Sequence, residues 1–381
     1  MFQHFGKFVL VQRIGGGRLS QVFRVGRQGI TGPAPKVALK RVNPALIGEP
    51  DFVQLLAREA GLLAQLSHGS LCTCQELGVI DGCAFLTLEL VDGCTLRALL
   101  RHVSQRGAKL PASAVLALGR QLVEVLRYLH GEAPVPLVHL DLSPQNVMIS
   151  RAGGLKLIDF GIARQLDDKN PPPVGGKIAG TVGYMSPEQA RGARLDARAD
   201  QFGLGILLWE MLAGRRLFRG NTADTWQRMR GGQTPAASVF LHDAPESVVA
   251  ILTRLMKPDP EWRYRDMDEV GRQIEAATAS PLSGTRPLAA LVQHLMEDPA
   301  FDPFDVVRAP EADTAVADIP AGEKSAADYA DLQIQVDFGA GSPGSMMRAV
   351  VPDRAPPPPS SPFLETLDAE LDASEALGVS P

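Results

Sequence analysis

The chain has 381 residues, of which 45% are hydrophobic and 21% charged, a composition typical of a packed soluble protein with two or three domains. Residues 1–300 carry 34 basic and 28 acidic side chains and residues 301–381 carry 4 and 15, a balance that excludes the dense basic surface of a nucleic-acid-binding protein. No apolar run approaches the ~20 residues of a membrane span and four cysteines are too few for a disulfide framework, so we expect a cytoplasmic protein.

Residues 8–91 are predicted to form a small β-rich lobe. Strand-like apolar runs alternate there with turns, and Asp81-Gly82 between two such runs is a strong hairpin signal. One helix interrupts this pattern between Phe52 and Leu66, where apolar residues recur at helical spacing. We therefore expect a sheet with one helix packed against it.

Residues 92–277 are predicted to form a larger, mainly helical lobe. Two short strands, 146–150 and 155–158, flank a Gly153-Gly154 turn. The predicted helices are 95–106, 112–131, 197–213, 245–256 and 266–277. A β-rich lobe followed, after a hinge near 91–93, by a helical lobe is an α+β arrangement.

The remainder of the chain is predicted to be irregular. Residues 278–300 are interpreted as a linker with a short helix, and residues 301–381 as a disordered, acidic tail rich in proline and alanine. In that tail Phe363, Leu367 and Leu371 share one face of a helix. A frayed terminal helix and a helix that docks on a partner both explain this pattern.

The β-rich lobe contains three features that could bind a charged ligand. Gly15-Gly16-Gly17 lies between two strands, and glycine lets a backbone turn tightly and approach phosphate closely. A strand follows it, which distinguishes it from the dinucleotide-binding fingerprint. Lys40 lies in an apolar strand, and Glu59 is predicted on the inner face of the helix, where a carboxylate requires a cation. We therefore expect Lys40 and Glu59 to pair.

The helical lobe contains oxygen-bearing side chains in two short motifs. Asp141, in the run from His139 to Asn146, can accept a proton from a hydroxyl group. Asn146 and Asp159 offer the hard oxygen ligands that Mg²⁺ binds alongside phosphates. Asp159 begins an Asp-Phe-Gly triplet. A second such triplet at Asp337 follows neither a strand nor a comparable loop, so we assign it no metal.

In order and spacing these motifs resemble the protein kinase family, in particular the eukaryotic-like serine/threonine kinases of bacteria. The resemblance covers residues 8–277 and implies a two-lobed kinase fold, with the small lobe at 8–91 and the large one at 92–277. It implies transfer of the γ-phosphoryl group of Mg-ATP to serine or threonine hydroxyls of a protein substrate. It also implies structural roles for Glu188, Asp200 and Arg263, with Arg263 as the partner of Glu188.

The resemblance further implies a role for each site residue. Lys40 would bind the α- and β-phosphates and Glu59 would position it, while Asn146 and Asp159 would hold Mg²⁺. Asp141 would orient the acceptor hydroxyl and take its proton. The other implied nucleotide-binding residues are Gly15, Gly16, Gly17, Ser20, Val22, Ala38, Leu88, Glu89 and Val91.

Three residues depart from the family pattern. Ser20 replaces a glycine of the loop, Ser143 replaces a lysine that reaches the γ-phosphate, and Leu140 replaces the arginine before the catalytic aspartate. That arginine usually pairs with a phosphorylated activation segment. Residues 161–180 of this chain contain no serine, threonine or tyrosine, so we hypothesise that phosphorylation of this segment does not switch the protein.

Two other functions are compatible with parts of this pattern. A pseudokinase scaffold would bind nucleotide and partners without efficient transfer, and Leu140 and Ser143 keep this alternative open. A small-molecule kinase is disfavoured by Thr181 and by the Glu188–Arg263 pair. The five retained residues Lys40, Glu59, Asp141, Asn146 and Asp159 favour an active protein kinase.

Overall fold

The fold begins with a six-stranded antiparallel sheet. A computed structural model describes residues 3–17, 19–27, 37–47, 50–166, 177–241, 243–278, 286–305 and 314–318. The strands of the sheet are β1 (Gln3–Phe5), β2 (Phe8–Gly16), β3 (Ser20–Arg27), β4 (Val37–Val42), β5 (Cys74–Ile80) and β6 (Cys83–Glu89), in the order β1-β2-β3-β4-β6-β5. The predicted hairpin is confirmed, because Asp81 and Gly82 connect β5 to β6 with φ values of 49° and 75°. Such left-handed residues match the twist of paired strands.

One helix, α1 (Pro50–Leu63), connects the sheet to the helical lobe. Its Leu56 packs in the core of the sheet with residues such as Leu39 and Leu86. Its Leu62 and Leu63 pack in the core of the helical lobe. The predicted amphipathic helix therefore buries apolar side chains in both lobes, and a shift of α1 would disturb both cores.

The larger lobe surrounds one buried helix. Its helices are α2 (Leu96–Gln105), α3 (Ala112–Arg127), α4 (Pro187–Ala190), α5 (Arg198–Ala213), α6 (Thr222–Arg230), α7 (Glu246–Leu255), α8 (Met267–Ala277) and α9 (Arg286–Glu297). Every residue of α5 after Arg198 is buried. Helices apolar on all sides belong in the interior, and α5 packs against α3 and α7. None of the helices in the described ranges has the length and apolarity to cross a bilayer.

Short strands outside the six-stranded sheet lie next to the motif residues of the larger lobe. They are β7 (Gly93–Thr95), β8 (Leu137–Val138), β9 (Val147–Ser150), β10 (Leu155–Leu157), β11 (Arg164–Gln165), β12 (Lys177–Thr181) and β13 (Thr314–Asp318). They form three small sheets, ordered β10-β9-β7, β11-β8 and β12-β13. The predicted α+β architecture is confirmed, and each of the five predicted helices begins within one residue of its expected start.

Two expectations about irregular segments were incomplete or wrong. The helix α6 was missed because it is short and polar, although Asn221 caps it by accepting a hydrogen bond from the N–H of Asp224. The tail was predicted to be disordered from residue 301, yet residues 314–318 form β13. This strand obtains its hydrogen bonds from β12, a distant segment, so no local pattern reveals it. The second Asp-Phe-Gly triplet and the helical pattern at 363–371 lie outside the described residues.

Replacing Gly93 tests the close packing of β7 on β9. A Cβ atom at Gly93 would lie 2.0 Å from the carbonyl oxygen of Ile149, whereas one at Gly69 would meet nothing within 4 Å. We expect Gly93→Ala to lower the free energy of unfolding by at least ~2 kcal/mol, because backbone must move to relieve the overlap. Denaturant unfolding measures the effect. Gly69→Ala is the matched control, with a change of about 0.5 kcal/mol or less. Equal stability of the two variants would contradict the packing described.

Candidate active site

A buried lysine between two carboxylates lies where the two lobes meet. The Nζ atom of Lys40, in β4, lies 2.9 and 2.8 Å from the two carboxylate oxygens of Glu59 on α1, so the predicted pair forms. It also lies 3.0 Å from Oδ1 of Asp159, which follows β10. Lys40 and Glu59 are buried, while the side chain of Asp159 is 43% exposed. One carboxylate is thus enclosed and the other faces open space.

The charges of this cluster stabilise one another. Burial alone would lower the pKa of Lys40, but the carboxylates of Asp159 and Glu59 raise it above its usual value. Burial would likewise raise the pKa of Asp159, but Lys40 lowers it. A buried charge is tolerated only when it is paired and hydrogen-bonded. Burial raises the pKa of Glu59, and the positive charge of Lys40 opposes this. Lys40 is therefore held as an ammonium and Asp159 as a carboxylate.

The backbone of Asp159 is held in an unusual conformation. Its φ is 65°, in the left-handed region that residues other than glycine rarely adopt. The next residue, Phe160, is buried and lies edge-on against His139 at 4.9 Å between ring centroids. Packing of Phe160 in the core therefore holds the strained turn that directs the Asp159 carboxylate toward Lys40.

A third carboxylate, that of Asp141, is fixed by hydrogen bonds from Asn146 and Thr181. The Nδ2 of Asn146 donates to Oδ2 of Asp141 at 2.7 Å and to its backbone carbonyl at 2.9 Å. The backbone N–H and hydroxyl of Thr181 donate to Oδ1 at 2.8 and 2.6 Å. Burial nevertheless raises the pKa of Asp141, and the hydrogen bonds from Thr181 only partly oppose this. Sequence reasoning missed the contact with Thr181, whose only signal was the Gly180-Thr181 dipeptide.

The backbone of the loop that carries Asp141 is held by hydrogen bonds to Asp200 and Gln189. The carboxylate of Asp200 accepts hydrogen bonds from the backbone N–H groups of His139 and Leu140, each at 2.8 Å, which is the structural role that the resemblance implies for Asp200. Leu140 has a φ of 66°, and its carbonyl accepts a hydrogen bond from Nε2 of Gln189 at 2.9 Å. These contacts keep a strained loop in one conformation. The role of Gln189 was not foreseen, because no motif marks it.

The glycine-rich turn lies beside Lys40. In the strand register Val22 is opposite both Gly15 and Lys40. Gly16 has a φ of 110°, and a Cβ there would lie 2.3 Å from the carbonyl oxygen of Ser20, so only glycine fits. A Cβ at Gly17 would meet nothing within 4 Å. The turn therefore leaves its backbone accessible close to the lysine.

The remaining predicted binding residues lie between the lobes. Ala38 is opposite Leu88 in the pairing of β4 with β6. The carboxylate of Glu89 accepts a hydrogen bond from Lys156 at 2.9 Å, and its backbone N–H donates to the carbonyl of Thr73 at 2.9 Å. Its carbonyl lies 3.3 Å from Sγ of Cys72. The backbone N–H of Val91 stays available, since it donates to no other described residue.

Two side chains of this site fit a magnesium ion. The Asp141 carboxylate accepts hydrogen bonds only, so the amide nitrogen of Asn146 must face it and the amide oxygen must face away. The exposed carboxylate of Asp159 supplies further oxygens. Hard oxygen atoms of this kind suit Mg²⁺, which keeps several waters and phosphate oxygens as its other ligands.

Leu140 replaces a charged contact with an apolar one. Its side chain is buried in a small cluster with Val138 and Ala199. Ile162, Leu166 and Leu195 pack against this cluster. The start of the segment after Asp159 is therefore held by apolar burial, where the family pattern has an arginine.

The predicted pair of Glu188 and Arg263 also forms. The guanidinium donates two hydrogen bonds to the carboxylate, at 2.6 and 2.8 Å, and the Arg263 side chain is fully buried. It also donates to backbone carbonyls, including those of Lys257 and Arg198 at 2.8 Å. This bidentate pair ties the segment around α4 to the loop before α8.

Comparisons with known proteins agree with this geometry. A family model described as protein kinase domain matches residues 8–272. The chain is 34% identical over 304 residues to "Tyrosine-protein kinase MasK" of Myxococcus xanthus, covering 77% of this chain and 46% of that protein. It is 29% identical over 273 residues to "Serine/threonine-protein kinase PrkC" of Bacillus subtilis, covering 71% and 40%. Among solved structures, the Mycobacterium tuberculosis PknI kinase domain matches with a TM-score of 0.54 and 26% identity, over 72% of this chain and 98% of that one.

The chain therefore belongs to the protein kinase family, among the eukaryotic-like kinases of bacteria, and the resemblance stated from the motifs is confirmed. It spans less than half the length of the two named relatives.

Leu140 variants test whether apolar packing holds the segment after Asp159. Leu140→Arg would place an unpaired cation in a buried position, so we expect the free energy of unfolding to fall by at least ~3 kcal/mol. Leu140→Met, which conserves volume, should change it by less than ~1.5 kcal/mol. Denaturant unfolding compares the two variants. An arginine variant as stable as the methionine variant would show that this position is open to solvent.

Proposed function

We propose that this protein is a kinase that transfers the γ-phosphoryl group of Mg-ATP to serine or threonine hydroxyls of proteins. The observation that supports it best is that Lys40 contacts Asp159 and that the charge of Asp159 acts on Asp141, although the three residues come from different parts of the chain. Each has the charge that phosphoryl transfer requires at its position. We propose that this activity takes place in the cytoplasm and serves signalling.

The nucleotide is proposed to lie between the glycine-rich turn and the larger lobe. The Lys40 ammonium, kept charged by its two carboxylates, binds the α- and β-phosphates. The adenine lies against the backbone of Glu89 and Val91, with Leu88 behind it. Asn146 and Asp159 hold Mg²⁺, which supplies positive charge to the phosphate oxygens when bound. In this arrangement Glu59 is a positioning residue, because it contacts Lys40 and not the nucleotide.

Asp141 is proposed to act on the acceptor hydroxyl. Its carboxylate is fixed by Asn146 and Thr181, so it can orient a hydroxyl group and receive the proton as the phosphoryl group transfers. The enzyme thereby contributes position and charge more than covalent chemistry. The complete set of charged residues argues against the pseudokinase alternative, and no observation of the structure favours it.

The acceptor hydroxyl is proposed to belong to serine or threonine. Serine and threonine are favoured by the family pattern around Thr181 and by relatives such as PrkC, whereas MasK is named a tyrosine kinase. Phosphoamino-acid analysis of a generic protein substrate distinguishes these acceptors. A product containing only phosphotyrosine would contradict the serine/threonine assignment but not phosphoryl transfer.

The two Asp-Phe-Gly triplets provide a matched test of transfer. Asp159→Asn removes the proposed metal ligand, so we expect transfer from labelled ATP to a generic protein to fall at least ~100-fold, since such metal contacts are worth several kcal/mol. Asp337→Asn makes the same change in the tail and should leave transfer unchanged. Label incorporation measures both. Transfer that survives Asp159→Asn, or is absent from the unaltered chain, would overturn the proposal.

A pH profile tests the role of Asp141 as the base. The base must be ionised, and the Thr181 hydroxyl lowers its pKa by hydrogen bonding. Thr181→Val removes this bond but keeps the backbone N–H, so the pKa of Asp141 rises. We expect the acid side of the kcat/KM profile to move to higher pH. Thr181→Ser keeps a hydroxyl and should restore the original profile. An unmoved acid side in the valine variant would exclude Asp141 as the titrating group.

A further inference from the structure

Residues after α9 are anchored beside the active site. The carbonyl of Pro303 accepts a hydrogen bond from the backbone N–H of Thr95 at 2.9 Å. The carboxylate of Asp305, which is buried, pairs with Arg101 and lies 3.3 Å from Nε of Arg97. Both arginines belong to α2. The chain is thus attached to the larger lobe at Asp305, nine residues before Thr314, the first residue of β13.

The anchor is connected to the catalytic loop by direct contacts. The backbone N–H of Arg97 donates to the carbonyl of Pro144 at 2.8 Å, and its guanidinium lies 3.4 Å from Oε1 of Gln145. Nε2 of Gln145 donates to the hydroxyl of Thr181 at 3.1 Å. The side chains of Arg97 and Gln145 therefore connect Asp305 to Thr181. Thr181 in turn donates hydrogen bonds to the carboxylate of Asp141.

Beyond this anchor the chain returns as β13, which pairs antiparallel with β12 along its whole length. Within the described part of the chain β13 is the sole strand partner of β12. Lys177 is opposite Asp318 and Thr181 is opposite Thr314. An unpaired edge strand is a template on which an extended peptide can add by backbone hydrogen bonds. β13 occupies that template in the way a bound peptide would.

The register places a hydroxyl residue at the catalytic end. The Cα atoms of directly opposed residues lie about 4.5–5.5 Å apart, so Thr314 lies next to Thr181, whose N–H and hydroxyl bond to Asp141. Thr314 is the only serine, threonine or tyrosine between residues 286 and 324. Residues 161–180, where such an acceptor is expected in this family, contain none.

We infer that β13 is a substrate segment held in cis and that Thr314 is phosphorylated by the active site of its own chain. The inference rests on the proposed function. In the step, the Thr314 oxygen forms a bond to the γ-phosphorus, and the bond from that phosphorus to the bridging oxygen breaks. ADP leaves with the electron pair, and the hydroxyl proton passes to Asp141.

Incubation of the full chain with Mg-ATP tests the modification, with phosphosites mapped by mass spectrometry. We expect phosphate at Thr314, formed with a rate constant that does not change over a tenfold range of protein concentration. Thr314→Val should remove this phosphosite and keep transfer to a generic protein substrate. Transfer to that substrate without phosphate at Thr314, or a rate constant that rises with protein concentration, would overturn the inference and leave the proposed function standing. A chain that phosphorylates neither target would overturn the proposed function.

A proline variant tests the pairing without nucleotide. Ala317 is opposite Ile178, in the set of pairs that can exchange backbone hydrogen bonds, since the N–H of Thr181 and the carbonyl of Ala179 bond to other residues. Ala317→Pro removes a backbone N–H from this pairing. We expect hydrogen exchange of the amides at 177–181 to become at least tenfold faster, and Thr314 phosphorylation to fall at least tenfold. Ala330→Pro, the same change elsewhere in the tail, should alter neither. Equal exchange at 177–181 in the two proline variants would show that β13 does not cover β12 and would overturn the inference.

Discussion

The pairing of the Lys40 ammonium with two carboxylates is the interaction on which the rest of the site depends. It joins β4 and α1 of the small lobe to the turn after β10 in the large one. A buried ammonium is stable only among opposite charges, so the lobes can meet here only when all three segments are in place. Because Glu59 is enclosed and Asp159 is open, one carboxylate positions the lysine and the other remains free to meet a ligand.

The position of Asp141 depends on a strained loop that is held by several contacts. Asp200 binds two backbone N–H groups behind Asp141, while Gln189 binds the carbonyl of Leu140. The side chain of Leu140 packs with apolar residues of the following segment. Apolar burial needs no phosphate, so this segment can keep its position in a chain that has no hydroxyl group between residues 161 and 180.

The segment after the kinase lobes contacts both α2 and β12. Asp305 attaches it to α2, and β13 then adds to the edge of β12. A single line of contacts leads from Asp305 through Gln145 to Thr181 and the catalytic carboxylate. A hydroxyl-bearing residue, which residues 161–180 lack, is thus present on the strand that pairs with β12.

The amino-acid sequence alone determined the two lobes, the hairpin at Asp81, the main helices and the motif residues, because helical and strand periodicity and motif spacing are local properties. It also predicted the Lys40–Glu59 pair, since a carboxylate on an inner helix face requires a cation. The contact of Thr181 with Asp141 and the pairing of β13 with β12 were decided only by the tertiary structure. These hydrogen bonds join segments 40 or more residues apart, and their partners are chosen by where the folded chain brings free donors and acceptors together.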